Sequence, residues 1–310
     1  MKPPHTPVLL NEVLQSFAMI PKEGILLDCT LGYGGHTLAL LQKFPQLQIF
    51  AIDRDKKAIE LASHHLEHFK DRVEIFWGRF SEVAYEILQK YSQKIVGILA
   101  DIGVSSMQFD NQERGFCFES ENLDMRMDIN QALNAKDIIN TYHQAELERI
   151  FKDYGEIREY KKMAALITQE RKRQTITSAK ALSQLIAKAF RHPKIHPATQ
   201  CFQALRIEVN DELGELRRFL GIFEQISLPL NTPLSIISFH SLEDRIIKNQ
   251  FKLWEKSCIC PHQIMRCECG NHHQKGRMLF KKPLIATSQE ILANPRSRSA
   301  KLRTFVFGAC

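Results

Sequence analysis

The sequence predicts an α/β fold, a mostly parallel sheet clad in helices, interrupted by an all-helical insertion and completed after it. Three observations carry this expectation. Short apolar runs alternate with helix-like segments from residue 24 to 101, the pattern that parallel strands joined by crossover helices produce. Residues 111–214 then show helical periodicity with no convincing strand. Strand character resumes at 234–239 and returns at 283–286 and 303–307.

In chain order, the first strand is the apolar run 24–28, ending in Asp28 and followed by a Gly-rich turn through Gly35. A helix over 36–44 offers Leu38, Leu40 and Leu41 to the core. Strand 47–53 ends in Asp53, helix 56–69 follows, then strand 73–77, helix 81–91 and strand 95–101, ending in Asp101. Acids at three strand ends are what a ligand crevice outside the carboxyl ends of a parallel sheet would present. In the insertion the expected helices are 145–154, 160–173, 179–191 and 199–219, with Thr177-Ser178 as an N-cap and Pro193 and Pro197 as breakers. The expected domains are therefore a core of 1–110 with 215–310 and a helical insertion of 111–214.

Charge is unevenly placed. Lys and Arg number 42 against 35 Asp and Glu, a net +7. Residues 245–310 hold thirteen of the cations and only Glu255, Glu268 and Glu290 as acids. A basic C-terminal segment on a near-neutral body points to a polyanion, most simply nucleic acid. Arg296, Arg298, Lys301 and Arg303 form its densest run, and Arg forks match phosphate geometry. His240 and Arg245, after the strand at 234–239, are further candidates for this RNA-facing surface. Lys161, Lys162, Arg171, Lys172 and Arg173 give the insertion a basic stretch of its own, for which a solvated helix face is the plainer reading. No apolar run reaches the ~18 residues of a membrane helix, the start lacks a signal-peptide pattern, and eight cysteines without one suggest reduced thiols. The expectation is a cytoplasmic protein that does not engage a membrane.

The turn after the first strand reads Gly32-Tyr-Gly34-Gly35-His36. Glycine lets the backbone approach a ligand closely, and Asp53, 21 residues after Gly32 at the next strand end, suits ribose hydroxyls. A dinucleotide would call for G-x-G-x-x-G at a helix N-terminus; the phosphate-free adenosyl cofactor S-adenosylmethionine fits this turn better, with an ordinary glycine turn as the alternative. Asp101 faces the same crevice and suits either the cofactor or an acceptor group, or else caps its own turn.

Several longer stretches resemble the bacterial small-subunit rRNA cytosine-N4 methyltransferase family: 7–12, Gly34-Gly-His36, 52–55, Asp101–Ser106, 114–118, 123–127, 196–199, 202–207, Phe239–Arg245 and 294–303, in order along nearly the whole chain. The resemblance implies a Rossmann-like class I methyltransferase core with an inserted helical domain that helps bind substrate. It implies S-adenosylmethionine contacts at Gly34, Gly35, His36, Asp53, Phe80, Asp101 and Gln108. It also implies 16S rRNA or the small ribosomal subunit as partner, and a decoding-region cytosine as the methylated base. Arg79 departs from the Asn that the family more often carries before the Phe.

Methylating cytosine N4 requires an acceptor for the amine proton, because the nitrogen lone pair is delocalised into the ring. Asp101 is the candidate. Other amino methyltransferases carry Asn/Asp-Pro-Pro-aromatic there, whereas this chain has Asp-Ile-Gly-Val. His240 is the second candidate, with a structural, backbone-bonded histidine as its alternative. A cytosine-C5 enzyme would need a poised cysteine nucleophile, and Cys29, under the glycine turn, is the one cysteine near a strand end. A non-catalytic ribosome-assembly factor is the rival from another class. Cys258-x-Cys260 and Cys267-x-Cys269 lack the C-x₂₋₄-C spacing of zinc sites. That loop is read as reduced thiols with no metal, a structural zinc being the alternative.

Overall fold

The computed structural model describes residues 7–105, 108–109, 111–191, 195–261 and 266–308. Its first unit joins residues 1–103 to 215–310, and its second is 104–214. Residues 104–110, expected in the core, thus cluster with the helices.

The first unit is built on an eight-stranded sheet. Its strands are β1 (Gly24–Asp28), β2 (Leu47–Asp53), β3 (Val73–Trp77), β4 (Ile95–Asp101), β5 (Pro233–Ser238), β6 (Gly276–Met278), β7 (Leu284–Ile285) and β8 (Lys301–Phe307). The order is β3-β2-β1-β4-β5-β8-β6, with β7 also on β8. β3 through β5 are parallel; β8 runs antiparallel to β5, β6 and β7. The chain moves outward from β1 to β3, then returns to the other side of β1 with β4. The strand order therefore reverses between β1 and β4, and a crevice at the carboxyl ends opens at such a point. Register sets Asp28 opposite Ala51 and Leu99, two residues below Asp53 on one side and Asp101 on the other, while Asp53 lies opposite Trp77 and Asp101 opposite Ile237.

Both sheet faces are covered, so the central strands read as unbroken apolar runs. Ile25, Leu27, Ile52, Ile98 and Ile236 pack on one side with helices α4 (Phe80–Tyr91), α10 (Glu212–Gln225) and α11 (Ser241–Trp254). Leu26, Ile49, Leu99 and Ile237 pack on the other with α1 (Leu10–Ser16), α2 (Gly35–Lys43) and α3 (Lys56–His65). Helix α12 (Ser288–Ala293) precedes β8. A Cβ on Gly97 would sit 2.9 Å from the Phe17 ring, so the glycine in β4 is what lets α1 close down.

The second unit comprises α5 (Ala135–Thr141), α6 (Gln144–Asp153), α7 (Tyr160–Arg173), α8 (Ala179–Ala189) and α9 (Thr199–Asn210) around a core that includes Ile138, Ile150, Phe151, Ile167, Leu182, Ile186 and Leu205. The single helix expected over 199–219 is two, because Asp211 adopts φ 50° and ends α9. Of the expected breakers, Pro193 lies outside the described residues.

Candidate active site

The loop between β1 and α2 is held from below by Asp28. This buried carboxylate accepts hydrogen bonds from Thr37 Oγ1 (2.6 Å) and the Thr30 amide (3.1 Å). Burial raises its pKa, against the pull of those two bonds. The loop is tied to its neighbours by Cys29 N to Leu99 O and Leu31 N to Ile52 O, both 2.8 Å. Its glycines divide by role. Gly34, at φ 76°, caps α2, and a Cβ there would press on Leu66. A Cβ on Gly35 would sit 2.5 Å from the Pro7 ring. The space that Gly35 leaves beside its Cα is thus filled by the chain itself. Gly32 is different: at φ 52° a Cβ would meet nothing within 4 Å. The loop's open side is at Gly32, a residue the sequence reading used only as a spacing marker.

Asp53 anchors the same loop, accepting the Gly32 amide on Oδ2 (2.7 Å) and the Asp55 amide on Oδ1 (2.8 Å). Each carboxylate oxygen keeps a second lone pair for a ligand hydroxyl. Desolvation raises its pKa to about 6 despite both amides.

At the end of β4, the Asp101 amide donates to Thr30 Oγ1 at 2.6 Å, which aligns the strand end with the glycine loop. Its Oδ2 lies 3.7 Å from His36 Nδ1, and its Oδ1 is buried with no hydrogen-bond partner. His36 Nε2 donates to the Val8 carbonyl at 3.0 Å, which leaves Nδ1 as the nitrogen facing the carboxylate. Desolvation raises the Asp101 pKa to about 6; His36 opposes the shift, while Asp28 and Glu243 add to it.

On the adjacent strand, Ser238 Oγ is likewise buried without a partner. His240 caps α11, and its Nε2 lies 3.1 Å from Glu243 Oε1, off the line of a hydrogen bond. Glu243 Oε2 in turn accepts the Phe239 and His240 amides. With its side chain only 8% exposed, His240 lies beside the strand ends, where it is the second candidate to meet the acceptor amine, and not on the open basic surface. Buried polar atoms without partners are uncommon and mark where a ligand or water completes the bonding. Asp101 Oδ1 is such an atom at the end of β4, while Ser238, one residue beyond the partner of Asp101 in β5, turns to the opposite face of the sheet. Ser238 carries no sequence signal, since an alternating strand residue reads as ordinary.

Other candidates fall elsewhere. The half-buried Phe80 ring packs edge-on against Phe219 at 5.2 Å, on the margin of the core. Arg79, the departure from the family pattern, is explained: it lies 3.7 Å from Glu215, whose Oε1 accepts the Ser81 amide. Gln108 belongs to the helical unit, where its buried Oε1 accepts the Ser105 amide at 3.1 Å. Arg296 and Arg298 are exposed on the 3-10 turn before β8, and Arg245 is exposed on α11. Arg303 is not: 8% exposed, it donates from Nε to Asp244 Oδ1 at 2.6 Å, beside Lys301 Nζ at 3.1 Å from Oδ2. Burial alone would raise the Asp244 pKa, but these two cations hold it below the carboxylate range. The RNA-facing assignment of Arg303 is therefore corrected to a structural cation, with Lys301 half committed to the same acid. Arg171 also serves structure, donating to the Ile139 and Tyr142 carbonyls at 2.7 Å.

Cys29 is buried, and desolvation, then Asp28 and Glu215, push its thiol well above the ordinary range. It offers no thiolate.

A sequence profile described as the MraW methylase family matches residues 2–307. The chain is 54% identical over 308 residues to Ribosomal RNA small subunit methyltransferase H of Wolinella succinogenes, with 99% of both chains covered. It is 53% identical to the protein of that name from Sulfurimonas denitrificans, with 97% of each covered. For the one from Campylobacter jejuni strain 81116 the identity is 51%, over 99% of this chain and 98% of that one.

Proposed function

Because this chain belongs to the MraW methylase family, we propose that it transfers a methyl group from S-adenosylmethionine to the exocyclic N4 amine of a cytosine in 16S rRNA of the small ribosomal subunit. The observation that carries the reading is the unpartnered Asp101 Oδ1 at the strand end where the sheet order reverses, beside the glycine loop. The residues present fit the adenosyl group. Asp53 has a lone pair on each oxygen for the ribose hydroxyls, and the loop is open at Gly32. When bound, that cofactor supplies an electrophilic methyl carbon on a sulfonium.

This chain's residues supply position and a proton acceptor. The free Asp101 Oδ1 accepts a hydrogen bond from the cytosine amine, which draws the nitrogen lone pair out of conjugation and takes up charge as the new bond forms. At neutral pH a carboxyl with pKa about 6 is mostly ionised yet basic enough to receive the proton. His36, held by its Nε2 bond to the Val8 carbonyl, directs Nδ1 toward Oδ2 and so borders the acceptor carboxyl. His240, in the turn just beyond β5, borders the base. The depressed nucleophilicity of Cys29 favours direct transfer over ring attack at C5. The helical unit binds RNA, with Lys161, Lys172 and Arg173 exposed along α7, and the reaction belongs where ribosomal subunits assemble, in the cytoplasm.

The test is nucleoside mass spectrometry of small-subunit rRNA and of assembled subunits after incubation with the chain and the methyl donor. N4-methylcytosine is expected. 5-methylcytosine, or a protein–RNA adduct trapped on 5-fluorocytosine-substituted RNA, would overturn the reading.

A further inference from the structure

The segment between α11 and β6 is closed at its base by the Lys275 amide donating to Trp254 O (2.8 Å) and the His273 amide donating to Ser257 O (3.0 Å). No described residue from Glu255 to Lys275 is buried. A loop of this length whose described residues bury no apolar side chain lacks an ordinary reason to hold one shape. Yet it holds a definite arrangement of sulfur. The Sγ atoms of Cys258, Cys260, Cys267 and Cys269 all lie within 4.8 Å of one another. Cys267 and Cys269 are 3.5 Å apart, and Cys269 and Cys258 are 3.7 Å apart. A disulfide would require about 2.05 Å. Four thiolates bonded at about 2.3 Å around a tetrahedral centre have edges of about 3.8 Å.

The backbone is organised around the same point. Each two-cysteine arm aims the amide of its middle residue at a sulfur of the opposite arm: Ile259 N donates to Cys269 Sγ (3.4 Å), and Glu268 N donates to Cys260 Sγ (3.3 Å). Such reciprocal donors favour sulfur in its anionic form. Gly270 and Asn271, at φ 80° and 58°, turn the chain sharply after the fourth cysteine, and His273 Nε2 donates back to Cys269 O at 3.0 Å.

We propose that Cys258, Cys260, Cys267 and Cys269 together bind one zinc ion as a structural tetrathiolate. All-sulfur tetrahedral ligation selects a soft or borderline cation, and zinc is the one that needs no redox partner. Binding releases the thiol protons to solvent and involves no oxidation. The site then carries a net negative charge, which Lys256 and Arg266, exposed on the two arms, offset. The spacing rule that argued against a metal applies to one chelating turn; here two narrower C-x-C arms face each other, an arrangement that spacing alone does not reveal. The ion takes the place of the missing core and pins the two cysteine arms to each other.

The test uses the full-length chain, equilibrated with zinc under reducing conditions and freed of excess by gel filtration. Elemental analysis should find about one zinc per chain. Cobalt(II) added to the stripped protein should give the intense visible bands of a tetrahedral tetrathiolate. Cys267→Ser with Cys269→Ser should bring both signals to background while S-adenosylmethionine affinity stays within about twofold, which separates this site from the cofactor site. Removing zinc from the wild type should speed tryptic cleavage after Lys256 and Arg266. A wild-type chain that carries no zinc, or a double variant that keeps wild-type zinc content and cobalt spectrum, would overturn the proposal. The first of these results is independent of whether the variant folds.

Discussion

Asp101→Asn isolates the proton acceptor from its scaffold. Asparagine is isosteric, its backbone amide still donates to Thr30 Oγ1, and its side-chain amide can donate to His36 Nδ1, whose tautomer the Val8 carbonyl already sets. The strand end should therefore keep its shape, and what disappears is a basic oxygen with pKa about 6. Loss of a positioned general base costs about 10²–10⁴ in rate, equal to about 3–5 kcal/mol of transition-state stabilisation. Loss of one hydrogen bond to the donor would cost about 1–3 kcal/mol of affinity instead. The assay is single-turnover transfer of labelled methyl to small-subunit rRNA, with cofactor affinity measured separately by calorimetry. The expected result is a fall of at least 10² in the transfer rate with affinity changed less than about fivefold. In the wild type the rate should rise as pH passes through about 6 and then level, and this limb should vanish in the variant. If rate and affinity fall together, Asp101 is a cofactor ligand; if neither moves, the amine's proton leaves by another route.

Asp53→Ala should weaken S-adenosylmethionine binding by about 1–3 kcal/mol through lost charge-assisted bonds to the ribose, read by calorimetry; equal affinity would remove Asp53 from the site. In the ligand-free protein, Asp53 with its pKa raised to about 6 holds its proton more tightly folded than unfolded. Its contribution to stability is therefore lost as pH rises from about 4 through about 6, by at most about 3 kcal/mol. The melting temperature of Asp53→Asn relative to wild type should climb across that window, and a flat difference would refute the shift. Charge reversal at Arg296 and Arg298 should weaken RNA binding and flatten its salt dependence, each lost phosphate contact lowering the log–log slope by about 0.7–0.9. Cofactor affinity should not change, and an unaltered slope would assign these arginines to the fold.

The first unit was legible because its signals are local. A parallel strand buried on both faces must be an apolar run, and β1, β2, β3 and β4 have the bounds their runs predict. Helices α1, α5, α11 and α12 and the short strand β6 went unread, being brief or lacking a long periodic face; α11 alone is long, and its start was taken for a motif. The break at Asp211 is a single left-handed residue inside a continuous helical pattern, which periodicity cannot register. The site divides in the same way. Asp53 and Asp101 are visible because acids at strand ends are a positional signal. The structural commitment of Arg303 and Phe80 is not, since it depends on Asp244 and Phe219, far away in sequence. Ser238 and the four-sulfur cluster become visible only through unpaired atoms and distances in space.

The strand ends carry an electrostatic cost that identifies what they await. Asp28, Asp53 and Asp101 all have pKa values raised chiefly by burial, and Asp28 and Glu243 add to the shift at Asp101. A site made only for neutral hydroxyls and an amine would gain nothing from packing these carboxyls together. A cationic ligand changes the balance, because it supplies the counter-charge that the ionised acids lack. S-adenosylmethionine is a sulfonium cation, and its demethylated product is a neutral thioether of nearly the same shape. Their affinity ratio should therefore shift toward the methyl donor as pH rises through about 6, by no more than tenfold per pH unit for each group that ionises. Ribose contacts cancel in the ratio, because both ligands share them. Asp101→Asn should reduce the slope, since one of the titrating groups is gone. Competition calorimetry between pH 5 and 8 measures it directly. A ratio independent of pH would mean that the buried acids are compensated within the protein and that the sulfonium charge plays no part in recognition.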